Sequence, residues 1–234
     1  MPVPAAVCTV CAAPADGATT PDLRGGFSCA SHTDCATCAF CGTRHRFPGP
    51  RWRDLGRRGL LRCATCAEDT IDVQDQVRPA LNEVRRALTA RGFPLPKPAP
   101  VYLSAAAELP GTDRQHAMGA TIAGPTRGEA VVHIAAGLPT VYFHRVVAHA
   151  LGHVWLAQNR VGALPNRLQE GLAELLSYTA LREVGPPFGP ALRKRISLNT
   201  DPAHGGGFRL VRDAVRRRGV QPVLRALVDY GALP

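Results

Sequence analysis

The stretch Val147-Ala148-His149-Ala150-Leu151-Gly152-His153-Val154-Trp155-Leu156 decides how the rest of the chain is read. Around it, Val146, Val147, Leu151, Val154 and Trp155 recur at helical steps, so Thr140 to Gln158 is expected to form one helix with a core-facing side. Gly137-Leu138-Pro139 marks the break before it. Residues four apart project from the same helical face, which places the imidazoles of His149 and His153 to share one metal ion. Alone the pair is a weak sign, because two ordinary polar residues on an exposed helix face have the same spacing.

Downstream, a turn at Gly162 to Pro165 leads to a second helical run, Leu168-Gln169-Glu170-Gly171-Leu172-Ala173-Glu174-Leu175-Leu176. The zinc motif H-E-x-x-H has the same two histidines with a glutamate between them, and Ala150 stands at that glutamate's position. A glutamate followed by glycine, about one helix-turn-helix beyond the second histidine, resembles the gluzincin peptidases, whose third zinc ligand sits there. That resemblance makes Glu170 the third ligand beside His149 and His153. Glu174 lies one turn on and faces the same way. It either accepts a ring N–H from a ligand histidine, fixing its tautomer, or is a solvent-exposed helix acid.

Upstream, Ile71, Val73, Val77, Leu81, Val84 and Leu88 recur at three- and four-residue steps, which predicts a linker helix over residues 70–92 ending at Gly92. Residues 93–100, rich in proline, form an extended connector. Val101 to Leu103, Gly119 to Ala123 and Ala130 to Ala135 are expected as short strands of a small sheet. Val131 to Ala135, just before the histidine helix, is expected as an edge strand able to bind the backbone of an extended peptide.

All eight cysteines lie between Cys8 and Cys66. The candidate ligands run Cys8-x2-Cys11-x20-His32-x2-Cys35, then Ala36-Thr37, then Cys38-x2-Cys41-x21-Cys63-x2-Cys66. Each C-x-x-C knuckle puts two sulfurs on one tetrahedral ion, and the long spacers let a hairpin return with the other two ligands. Cys8, Cys11, His32 and Cys35 are thus expected on one zinc, and Cys38, Cys41, Cys63 and Cys66 on a second. Cys29 is left as a spare thiol. It permits a rival register, Cys29-x2-His32 with Cys35-x2-Cys38, that strands Cys41. A segment this short buries too little apolar surface to fold without its metal.

The chain has 234 residues, enough for this module, residues 1–69, and one larger domain, residues 70–234. No run of apolar residues is long enough to cross a membrane. Met1 to Val10 lacks the basic start and apolar core of a secretory leader, so a cytoplasmic home is expected. The net charge is +10, and Arg193, Lys194, Arg195, Arg209, Arg212, Arg216, Arg217, Arg218 and Arg225 make the C-terminal end strongly basic. Without interleaved aromatic residues this is expected as a solvated face rather than a nucleic-acid surface.

Taken together, the ligand pattern of residues 8–66, Ala136-Gly137-Leu138-Pro139, the His149 to His153 segment, Gln169-Glu170-Gly171 and Gly205-Gly206-Gly207-Phe208-Arg209 resemble the LIM-domain metallopeptidases of the plant organ-size regulators and their bacterial relatives. The resemblance implies an α+β fold, a gluzincin-like peptidase domain of small sheet and active-site helices behind a double-zinc LIM module. It implies an intracellular endopeptidase with three Zn2+ per chain, two structural and one catalytic, a protein substrate, and a LIM module that binds a protein partner. Position 150 carries over as the general base, which would take a proton from the attacking water and pass it to the leaving amine. His204, beside the Gly205 to Gly207 run, and Tyr178 are the candidates for stabilising the oxyanion.

Three departures stand out. Ala150 lacks the carboxylate, and general-base assistance is worth about 10² to 10⁴ in rate, so the chain as written is expected to be nearly inactive. No ubiquitin-interacting helices precede Cys8, so activation by ubiquitin in the plant manner is not expected. Gly206 stands where the plant proteins tend to carry an aspartate. Ala150 reads either as an engineered replacement, favoured because all three ligand positions survive, or as the mark of a natural pseudo-peptidase acting as a non-enzymatic zinc scaffold.

Overall fold

The structure is a computed structural model, and it describes residues 7–14, 19–56, 60–95, 97–110, 117–124, 126, 128–159, 161 and 164–234. Three small antiparallel hairpins form the N-terminal part: β1 (Thr19–Pro21) with β2 (Phe27–Cys29), β3 (Ala36–Thr37) with β4 (Arg44–His45), and β5 (Arg53–Asp54) with β6 (Leu61–Arg62). Ala36-Thr37, between the two groups of candidate ligands, is one of these strands.

β7 (Thr70–Ile71) then leads into α1 (Gln74–Thr89), β8 (Val101–Ser104), β9 (Gly119–Ala123), β10 (Ala130–Ala135), β11 (Leu138–Pro139) and α2 (Thr140–Gln158). After these come α3 (Asn166–Ala180), α4 (Phe188–Leu198), α5 (Gly207–Arg218) and α6 (Val220–Tyr230), with a wide π-type turn at Pro202–Gly206 before α5. The fold is therefore mixed α+β, small sheets beside six α-helices among the described residues.

The linker helix is shorter than its periodicity suggests. Thr70 and Ile71 pair with Pro139 and Leu138 instead of joining the helix, and Val73 is exposed. Gln76 then starts α1 by accepting the Asp72 and Val73 N–H groups at 2.8 and 3.0 Å, satisfying donors that a helix start leaves open. Val77, Ala80, Val84, Ala87 and Leu88 face the core. The α2 bounds match the apolar periodicity, and Asp69 fixes its start by accepting the Thr140 hydroxyl at 2.5 Å. The expected turn at Gly162 to Pro165 falls partly on residues outside the described set, and α3 begins directly after Pro165.

All three predicted strands form, but their order is β8-β10-β9, with β8 parallel and β9 antiparallel to β10. Val131 to Ala135 is thus the middle of the sheet, not an edge: both of its ladders are taken, and among the described residues the edge beside α2 that no strand pairs belongs to β9. Strand order depends on pairing between distant segments, which local hydrophobicity does not encode.

The apolar core runs without a break from the N-terminal hairpins into the helices. Phe40, between Cys38 and Cys41, is fully buried and meets Tyr142 of α2 edge-on at 4.9 Å. The Tyr142 hydroxyl donates to the Phe40 carbonyl at 2.5 Å. No helix of the described residues is long and apolar enough to cross a membrane.

Candidate metal centres and cleft

His149 and His153 leave α2 on one face, and Glu170 approaches them from α3. The helices come this close because Gly152, between the histidines, faces Ala173: a Cβ at 152 would lie 2.7 Å from the Ala173 Cα. The His149 and His153 Nε2 atoms are 3.1 Å apart, and Glu170 Oε2 lies 3.3 Å from the first and 3.7 Å from the second. Two ring nitrogens on one tetrahedral zinc, at ~2.1 Å each, would be about 3.4 Å apart, so the observed spacing is near what one ion needs. One donor atom from each of the three side chains lies within 4.8 Å of the others.

Electrostatics agree with a cation. Glu170 Oε2 is buried and makes no hydrogen bond of acceptable geometry, a costly state for a carboxylate oxygen unless an ion completes it. Burial alone would raise the Glu170 carboxyl, but contacts with the His149 and His204 side chains outweigh it and hold the group well below its ordinary range. Burial, with His149 adding to it, pushes His153 down to about 4. That leaves a neutral imidazole, the form that can donate a lone pair to a metal. Glu174 is 5% exposed, which sets aside the solvent-exposed alternative. Its Oε1 faces His149 Nδ1 at 3.6 Å and Arg145 at 3.8 Å, while Oε2 is buried without a hydrogen bond.

His204 joins this group from the π-type turn. Its Nε2 lies 3.2 Å from Glu170 Oε2, and its ring stacks with that of His149 at 6.2 Å. Asp201 holds it in place, accepting the Ala203 and His204 N–H groups at 2.9 and 2.7 Å and meeting Nδ1 at 2.9 Å. The Glu170 contact, against partial burial and with help from Asp201, pushes His204 up to about 9. Asp201 escapes a reading by motif, although an aspartate three residues before a histidine, with proline next to it, is a recognisable capping pattern.

Tyr178 does not reach the centre. Its ring packs on Phe208 at 5.1 Å and lies under the Arg193 guanidinium, away from the residues that line the cleft. The register explains this: the α3 face that carries residue 178 is the one α5 covers.

The His149, His153 and Glu170 cluster opens into a cleft of about 1350 Å³ between β9 and the facing sides of α2 and α3. Ala150, 5% exposed, lines it, as do Arg145, Glu129, Asp201 and His204. Arg145 and the β9 edge are the cleft components that no motif flagged.

Two further clusters lie in the N-terminal part. Cys38, Cys41, Cys63 and Cys66 come together, all buried, as their spacing predicts. The Cys41 and Cys63 sulfurs are 3.7 Å apart, close to the ~3.8 Å of two thiolates on one tetrahedral zinc. Burial and the neighbouring Cys38 and Cys41 sulfurs push the Cys63 thiol up to about 11, a cost that a thiolate-binding ion removes. The other cluster is Cys8, Cys11, Cys29 and His32.

That membership differs from the expected set of Cys8, Cys11, His32 and Cys35. Cys29, not Cys35, completes the first cluster, with its sulfur 4.0 Å from that of Cys11. The cause is the β1–β2 hairpin, which carries Cys29 at the end of β2 back beside Cys8; the Cys29 N–H meets the Cys8 sulfur at 3.4 Å. Cys35 is buried outside both clusters, with Asp34 Oδ1 at 3.9 Å as its polar neighbour. Comparisons with protein-family models, with curated proteins and with solved structures find no match to this chain.

The basic C-terminal end is partly built into the fold. Arg209 donates to the Ser197 and Asn199 carbonyls at 3.4 and 2.8 Å, and Arg212 lies over Phe208 and beside Asp213. Arg216, Arg217 and Arg218 are exposed.

Proposed function

We propose that His149, His153 and Glu170 hold a catalytic zinc ion in a gluzincin-type peptidase centre, in a chain that carries two further zinc ions in its N-terminal clusters. The observation that carries this reading is the convergence of two imidazoles from one helix and a buried, otherwise unbonded carboxylate oxygen from the next, at the floor of an open cleft. Three protein donors leave a coordination position for a small ligand, as catalytic zinc sites do.

A zinc ion held there supplies Lewis-acid polarisation of a carbonyl or of water. The chain's own residues do the rest. The edge of β9 that no described strand pairs aligns an extended peptide along the cleft by main-chain hydrogen bonds. Glu174 faces Nδ1 of His149 and orients that ring. Asp201 fixes His204 so that its Nε2 edge points at the centre, where it can donate to the oxygen that becomes negative on the scissile carbonyl. Position 150 lines the cleft on the same helix face as the histidines, the place from which a carboxylate would take the proton of the attacking water.

The N-terminal module, with both clusters closed by four protein donors, recruits or positions a protein partner in the manner of a LIM domain. Its first cluster departs from the LIM register, since Cys29 replaces Cys35. A second reading is favoured by one residue: Ala150 provides no base, so the native role would be that of a zinc-dependent peptide-binding scaffold without catalysis. Replacing Ala150→Glu and following peptide hydrolysis in zinc separates the two. The peptidase reading expects a rise of about 10² to 10⁴ over the chain as it stands; an unchanged rate would support the scaffold.

A further inference from the structure

β9 and α2 run side by side through the cleft. A Cβ at Gly119, the start of β9, would lie 2.6 Å from Val146 Cγ1 early in α2. Past the end of β9, a Cβ at Gly128 would lie 3.5 Å from the Ala157 carbonyl late in α2, and one at Gly124 would lie 2.5 Å from the Glu129 Cβ. The two ends therefore differ in charge: Arg145, next to Val146, lies at the Gly119 end, and Glu129 lies at the other.

Among the described residues the Arg145 guanidinium makes no hydrogen bond. The described acid oxygen facing it, Glu174 Oε1, is at 3.8 Å, beyond hydrogen-bond length. The side chain is 31% exposed and lines the cleft wall. It stands one helical turn before His149, about 6 Å along the axis.

A peptide that adds antiparallel to the open edge of β9, the more stable pairing, has its C-terminal side toward Gly119 and its N-terminal side toward Glu129. The charges at the two ends then match the peptide's own polarity. We infer that Arg145 is a specificity-determining residue that binds a carboxylate about two residues to the C-terminal side of the peptide unit facing the metal centre. The figure of two follows from ~6 Å divided by the ~3.4 Å rise of an extended strand. The carboxylate belongs either to an acidic side chain or to the free end of the substrate. A guanidinium suits both, because its fork pairs with a carboxylate through two N–H groups.

This inference rests on the peptidase reading of the cleft, and binding rather than turnover tests it. The zinc-loaded chain with Ala150 is titrated with short N-terminally labelled peptides of one sequence, followed by fluorescence anisotropy. One ends in an amide, one in a free carboxylate, and one ends in an amide with an internal glutamate. At least one carboxylate peptide is expected to bind about tenfold tighter than the plain amide, as a charge-assisted hydrogen bond would give. In Arg145→Gln that preference disappears while the amide peptide binds as before, and Arg145→Lys keeps part of it. A preference for the free end points to exopeptidase-like selection, and one for the glutamate points to acidic sequences. Equal binding of all three peptides, or a preference that survives Arg145→Gln, overturns the role of Arg145 and leaves the peptide cleft standing. Failure of every peptide to bind removes both. An unchanged zinc content in the variants shows that they are folded.

Discussion

Gly171 of α3 lies directly against Gly207 of α5, so close that a Cβ at 171 would fall 2.4 Å from the Gly207 carbonyl carbon and oxygen. Gly171 follows the candidate ligand Glu170, and Gly207 closes the turn that carries His204. The absence of a side chain in Glu170-Gly171 therefore has a physical consequence, because it lets α5 approach α3 until His204 meets the carboxylate at 3.2 Å.

Gly171→Ala forces those backbones apart. The variant is expected to lose about 1–3 kcal/mol of stability by overpacking, measured by urea unfolding. It should also bind zinc more weakly at the cleft than a control Gly185→Ala, whose site has open space around it. Equal stability of the two variants would contradict the close approach of α3 and α5.

Cys29 and Cys35 are separable by metal content. Cys29→Ser is expected to lose one zinc ion in native mass spectrometry, because it removes a donor of the first cluster. Cys35→Ser leaves the count unchanged. The reverse result would restore the spacing-based ligand set.

His204 and Asp201 are expected to act in the transition state once a base is supplied. In the Ala150→Glu background, His204→Gln should lower kcat by about 10² to 10³ with little change in KM, the signature of a lost oxyanion donor. Asp201→Asn should act in the same direction and more mildly, since it loosens the ring without removing it. A KM effect alone would assign the pair to substrate binding.

His144, near the start of α2, gives a pH signature outside the His149, His153 and Glu170 cluster. Burial lowers its pKa from 6.5, against the opposing pull of Glu83 and Asp69. Because the folded value lies below the unfolded one, the unfolded chain takes up a proton first. Stability is complete above pH 6.5 and is lost as pH falls through that value toward the folded pKa. His144→Leu should flatten this part of the stability–pH curve relative to the parent, measured by denaturant titration at several pH values.

Much of the frame is legible in the sequence because it is local. The period of Val147, Leu151 and Val154 places α2 with its ends, and the residues of β8, β9 and β10 stand out between glycine and proline breaks. The histidine pair and Glu170 are legible by spacing and by resemblance. What escapes depends on contacts between distant segments. Two thiols three residues to either side of His32 fit a knuckle equally well on paper, and only the β1–β2 hairpin selects Cys29 over Cys35. Helical phase alone does not say that α5 covers the Tyr178 side of α3. Arg145 carries no motif, and its importance comes from sharing a cleft wall with His149.

On the proposed reading, α2 and α3 together assemble one metal site, distinct from the two N-terminal clusters. Zinc content per folded chain, measured by native mass spectrometry for the parent and for His149→Ala, His153→Ala and Glu170→Ala, tests it most directly. Three ions are expected in the parent and two in each variant, with the N-terminal pair retained. Two ions in the parent, or three in the variants, would contradict it.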